Sequence, residues 1–136
     1  MSIQDIKPDV AQLKFLSEAG LFLASKGRYA EACDIFHGVI ALAPKRAIGY
    51  TLLGDACMNW EKYDEALKAH QKAMELDPDN TFARVHYAEV LLFKKQKDKA
   101  LTELRIVLDK DPNGPDGALA KNLVKAIEQG VFTKVK

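Results

Sequence analysis

Two cysteines in 136 residues, Cys33 and Cys57, are too few for a disulfide framework, and neither belongs to a CxxC pair. Both have apolar neighbours, where a free thiol behaves as a small hydrophobe, so a reduced, cytoplasmic protein is expected. Long apolar runs are also missing. None approaches the roughly 20 residues that cross a bilayer, and no membrane insertion is expected. Residues 1–10 contain Asp5, Pro8 and Asp9 and show neither the basic region nor the apolar core of a signal peptide. Charge of one sign is lacking as well: 20 basic residues stand against 19 acidic ones, which leaves no field to draw the chain to nucleic acid. Eight glycines and five prolines beside 48% hydrophobic residues exclude collagen-like, low-complexity and disordered chains. What is left is a single globular domain, long enough to bury a core without disulfide or metal.

The length equals four times 34, and 34 is the spacing that recurs within it. Pro44, Pro78 and Pro112 keep this interval, as do Ala32, Ala66 and Ala100. Gly20, Gly54 and Ala88 form a third series of small residues, and Tyr29 and Tyr63 a fourth whose next member is Lys97. Each unit reads as two helices. In residues 47–80, Tyr50, Leu53, Gly54 and Cys57 share a helical face, residues 59–62 break it, and a second helix carries Ala66, Leu67, Ala73 and Met74. Small residues allow two helices to approach closely, where a larger side chain would overpack the contact. Proline lacks an N–H and fixes φ, so it closes each unit. Gly27 suits the first inter-helix turn.

These residues resemble the tetratricopeptide repeat, whose signature is W-x2-L-G-x2-Y, then A-x3-F, then P. The first copy reads Leu16-x2-Ala19-Gly20-x2-Leu23, Ala32-x3-Phe36, Pro44. The second reads Tyr50-x2-Leu53-Gly54-x2-Cys57, Ala66-x3-His70, Pro78, and the third Arg84-x2-Tyr87-Ala88-x2-Leu91, Ala100-x3-Leu104, Pro112. The resemblance implies an all-α fold: an α-solenoid of three helix–turn–helix repeats plus a C-terminal capping helix. Its expected divisions are a leader at 1–12, repeats at 13–46, 47–80 and 81–114, a capping helix at 115–130 and a tail at 131–136. Pro115 and Asp116 start the capping helix and Gly130 stops it. Leu119, Leu123, Ala126 and Ile127 form its apolar stripe, with Lys121, Asn122, Lys125 and Glu128 toward water.

No catalytic constellation stands out, so no enzyme, cofactor or metal is expected. His70 occupies an aromatic packing slot, whereas His37 and His86 look isolated from ligands at metal-binding spacing. Lys94, Lys95, Lys97 and Lys99 read as a solvated basic turn rather than a nucleic-acid patch. Residues 47–80 hold seven acidic and three basic side chains, a net of −4, which could guide a basic ligand segment.

The resemblance further implies that the front helices line a concave groove where a peptide binds. By repeat position the groove set is Lys14, Ser17, Leu21 and Ala24, then Ile48, Thr51, Asp55 and Met58, then Phe82, Val85, Glu89, Leu92 and Phe93. Family members that clamp the C-terminal carboxylate of heat-shock chaperones carry Lys, Arg and Asn at the slots of Ser17, Leu21, Thr51, Asp55, Val85 and Glu89. That clamp is missing here, and two acids would repel its ligand. The third front helix is apolar nearly all round, which leaves three destinations for Phe82, Leu92 and Phe93: a ligand, the capping helix or another protomer. As an apolar trough, the groove would take an extended or helical segment, with Asp55 and Glu89 choosing its polar or basic groups.

The segments Phe15-Leu16-x3-Gly20, Glu31-Ala32-Cys33 and His86-Tyr87-Ala88-Glu89-Val90-Leu91-Leu92 are similar to stretches of type III secretion chaperones of the tetratricopeptide class. That resemblance implies a cytoplasmic chaperone or adaptor holding a secreted or assembly subunit, with self-association possible. The alternative is a scaffold that acts through self-association.

Overall fold

The computed structural model describes residues 9–132; expectations for residues 1–8 and 133–136 lie outside the described residues. Seven helices and no strand occur among them: α1 Val10–Ser25, α2 Tyr29–Leu42, α3 Ile48–Asn59, α4 Tyr63–Leu76, α5 Thr81–Phe93, α6 Lys97–Lys110 and α7 Pro115–Glu128. The first six form three antiparallel pairs, and α7 closes the array as the sequence predicts.

Helix ends follow local chemistry. Asp9 caps α1 by accepting from the Ala11 N–H at 2.9 Å, which starts the helix at Val10, inside the expected leader. Asn80 caps α5 in the same manner through the Ala83 N–H. Helices α2, α4 and α6 end two residues before Pro44, Pro78 and Pro112. Within each pair the chain reverses through one left-handed residue at 27, 61 and 95: Gly27 at φ 75°, then Glu61 and Lys95, both at φ 62°. The next amide reaches back to the front helix every time, from Arg28 to Leu23, Lys62 to Cys57 and Gln96 to Leu91. The reversal is thus a backbone closure of orphan carbonyls; glycine accepts its φ freely, and the other two residues bear a cost of about 1–2 kcal/mol.

The small-residue slot faces the large one across each pair. A Cβ at Gly20 would lie 2.3 Å from Phe36 Cε1, and one at Gly54 would lie 2.6 Å from His70 Cε1. The third pair meets with Ala88 and Leu104, both fully buried in one cluster. One extra carbon on the front helix is therefore matched by a smaller side chain behind it.

Front and rear rows are not equally spaced. Backbones of α1 and α3, α3 and α5, and α5 and α7 approach one another, whereas α2, α4 and α6 do not. A double row that is closer on one side curves toward that side, so α1, α3, α5 and α7 line the inner, concave face. Helix α7 docks through Gly117, where a Cβ would fall 1.7 Å from the Asp111 carbonyl oxygen, and through Ala120, which is fully buried. Its stripe of Leu119, Leu123 and Ile127 packs on the third pair. Beyond α7, Phe132 packs on the same cluster and Val131 N–H bonds to Ala126, so the expected tail begins as part of the fold.

Candidate functional site

A front helix turns one face to the groove and one flank to the next front helix, and this divides the expected groove set. Lys14, Leu21, Ile48, Phe82 and Phe93 are exposed, while Ser17, Ala24, Asp55, Met58 and Glu89 are half-buried. Two members are withdrawn from the surface, contrary to expectation: Val85 and Leu92 are 0% and 2% exposed, whereas Thr51, at 3%, still borders a cleft between α3 and α5. Val85 and Leu92 join Ala120 of α7 in one core cluster, because their flank of α5 is the one α7 covers. The Thr51 hydroxyl turns inward and donates to the Ala47 carbonyl. Phe93 stands at the turn end of α5, its ring stacked on Tyr63 at 5.7 Å. The surface that remains repeats every seven residues, as Lys14 and Leu21, Ile48 and Asp55, Phe82 and Glu89.

Between the starts of α3 and α5 lies a cleft of about 560 Å³, lined by Lys45, Arg46, Ile48, Leu52, Asn80 and Phe82 among others. Ile48 and Phe82 are each 42% exposed, so two large apolar side chains border the same cleft. Phe82 leans on His86 with ring centroids 4.5 Å apart, so the cleft leads directly to a cluster of ionisable groups.

That cluster contains a residue the sequence reasoning set aside. His86 is not isolated: its Nδ1 lies 3.2 Å from Glu89 Oε1 and 4.0 Å from Asp55 Oδ1. The His86–Glu89 spacing of three on one helix was the available signal; the partnership with α3 was not readable locally. Beneath them, fully buried on α4, His70 points Nε2 at Asp55 Oδ1 from 3.5 Å, and neither ring nitrogen has a hydrogen-bond partner. Burial, aided by the neighbouring His86 charge, pushes His70 down to about 3, so the ring is neutral. Burial also pushes the Asp55 carboxyl up to about 6; Glu89 adds to this and His86 opposes it. For His86, burial acts against the charged form, but the Glu89 hydrogen bond and the charges of Asp55, Glu89 and Asp116 outweigh it and raise the pKa. Among the described residues no group of three or more His, Cys, Asp and Glu side chains could hold a metal ion.

The thiols do not form a nucleophilic centre. Cys33 and Cys57 are buried beside a second cleft of about 370 Å³. Burial, with the facing Cys33, pushes Cys57 up to about 12, and burial raises Cys33 too. Both therefore stay protonated at neutral pH, and thiolate chemistry has no starting point. No helix among the described residues is long and apolar enough to cross a membrane.

Comparison with known proteins agrees with this architecture. A sequence profile described as tetratricopeptide repeat matches residues 61–127. The BBSome complex member BBS4 of Bos taurus is 31% identical over 90 residues, which cover 66% of this chain and 17% of that protein. Among solved structures, the TPR2B domain of yeast Sti1 in its complex with pHsp70 superposes with a TM-score of 0.79 at 25% identity, covering 88% of this chain and 98% of that one. The Yersinia enterocolitica type III secretion chaperone SycD, in complex with a peptide of the translocator YopD, gives a TM-score of 0.79 at 20% identity, covering 90% and 96%.

Proposed function

We propose that this chain, which belongs to the tetratricopeptide-repeat family, is a non-enzymatic interaction module that holds a peptide segment of a partner protein along its concave face. The observation that carries this reading is the pair of half-exposed apolar side chains, Ile48 and Phe82, beside a cleft between the starts of α3 and α5. Similar folds, in the Sti1 complex with pHsp70 and in SycD with its YopD peptide, support it. The ligand differs in kind from one with an acidic terminus, since the groove presents Asp55 and Glu89 and lacks the basic clamp. A narrower role as a cytoplasmic chaperone or adaptor for a secreted or assembly subunit rests on the likeness to SycD.

Ile48→Glu with Phe82→Glu tests the groove without touching the core, since both side chains already face solvent. Wild-type protein immobilised in extract of its own host is expected to retain a partner identifiable by mass spectrometry. The folded double variant should retain it at least about tenfold less, the effect of roughly 1.4 kcal/mol. An unchanged set of retained proteins would overturn the groove reading.

One observation favours self-association as a second reading. Phe15 and Phe22, seven residues apart on one face of α1, are 69% and 62% exposed. Light scattering over a concentration series should then show a dimer that Phe15→Lys with Phe22→Lys converts to monomer. A wild-type protein that stays monomeric throughout rules this out.

A further inference from the structure

We propose that the centre of the groove is a seat for one cationic side chain of the bound segment, an arginine or lysine held between Asp55 and Glu89 beside the Phe82 ring. This rests on the peptide-groove reading and specifies its ligand.

The charges at the site are unbalanced. Asp55 and Glu89 keep 28% and 25% of their side-chain surface open and share His86 between them, with only the buried His70 ring besides it near Asp55. Among the described residues no lysine or arginine pairs with either acid. The ionisable groups that act on Asp55, His70 and His86 are one another, Glu89 from α5 and Asp116 from α7. Asp55 and Glu89 thus set two carboxyl groups against the single ring of His86, with Asp116 acting on that ring as well. An arginine guanidinium, with five donors in one plane, can serve more than one carboxylate oxygen at once.

The second observation is His70. It is fully buried, yet both ring nitrogens lack partners, and Nε2 is aimed at Asp55. An unpaired buried donor is costly. A cation on the open side of Asp55 keeps that carboxyl ionised, and an ionised carboxylate is the better acceptor for the His70 N–H beneath it. Phe82, exposed and tilted against His86, supplies an apolar wall for the ligand's aliphatic stem and a face for its charge.

Protons compete with the ligand at this seat. Asp55, held near 6 by burial, is ionised at pH 7.5 and largely protonated at pH 5.5, so affinity for a cation falls as pH is lowered through that window.

The test uses random 12-residue peptides displayed on phage and selected against the full chain. The strongest is then synthesised and measured by fluorescence anisotropy beside a copy with its basic residue replaced by citrulline. Selected peptides should share one arginine or lysine among apolar residues. On wild type the citrulline copy should bind about tenfold more weakly at pH 7.5, and the arginine peptide should lose affinity severalfold at pH 5.5. On folded Asp55→Asn/Glu89→Gln protein both differences should vanish. Peptides that need Ile48 and Phe82 but carry no basic residue, or a citrulline effect that survives in the variant, would overturn the seat while leaving the groove. Selection of no peptide at all would overturn both.

Discussion

Phe36→Ala is expected to lower the stability of the fold by about 3–5 kcal/mol, the range for truncating a buried aromatic ring to a methyl group. Phe36 is 1% exposed and lies in the largest cluster of the first two repeats. For a domain of ordinary stability this is roughly a fifth or more of the total, and it will show as a large drop in the urea midpoint. A size swap gives the sharper result. Gly20→Ala alone would drive a Cβ to 2.3 Å from the Phe36 ring, and Phe36→Leu alone leaves a void. Together they copy the third repeat's Ala88 and Leu104. The double variant should be more stable than either single variant, with a coupling of about 1 kcal/mol or more in a double-mutant cycle. Simple additivity would refute the account of paired slots.

Replacing His70 by phenylalanine should stabilise the protein, and more so in acid. The substitution repeats the Gly20–Phe36 pairing against Gly54 and removes two buried nitrogens without partners, a gain of about 1–3 kcal/mol at neutral pH. The pH dependence has a definite sign. His70 titrates near 3 in the fold and at 6.5 ordinarily. Its pKa is depressed, so the unfolded chain takes up the proton first, and stability present above 6.5 is lost as pH falls toward 3. By pH 4 the loss is on the order of 3 kcal/mol. Phenylalanine has nothing to titrate, so the gap between variant and wild type should widen by that amount between pH 7.5 and 4. Asp55 moves oppositely: its raised value destabilises the fold above about 6 and is relieved in acid. Because Asp55 is present in both proteins, the difference between two urea titrations isolates His70. A gap that stays constant with pH would mean that the histidine is solvated in the native state.

Close helix packing made the fold legible in the chain. Where two backbones nearly touch, the residue at the contact must be small, and the requirement returns at 20, 54 and 88. The prolines that end α2, α4 and α6 act on their own backbone alone, so they too could be read in place. The groove was only partly legible, because burial of a front-helix flank depends on the neighbour that covers it. Val85 and Leu92 occupy the same repeat positions as Ser17 and Ala24, yet α7 closes over the former pair. His86 meets Asp55 across two helices 31 positions apart, which no local pattern encodes. The start of α1 at Val10 and the contact of Gly117 with Asp111 likewise depend on single side chains and carbonyls that carry no periodic signature.

The three reversals at Gly27, Glu61 and Lys95 have one backbone shape with three different side chains. Their geometry is held by amides reaching back to Leu23, Cys57 and Leu91, so the side chains at these three positions are released from any part in closing the turn. The edge behaves as a label that can be rewritten: Lys26 and Arg28 flank the first turn, Glu61 and Lys62 share the second, and lysines crowd the last. Scaffold and surface lettering are thereby kept on separate strips of the same molecule.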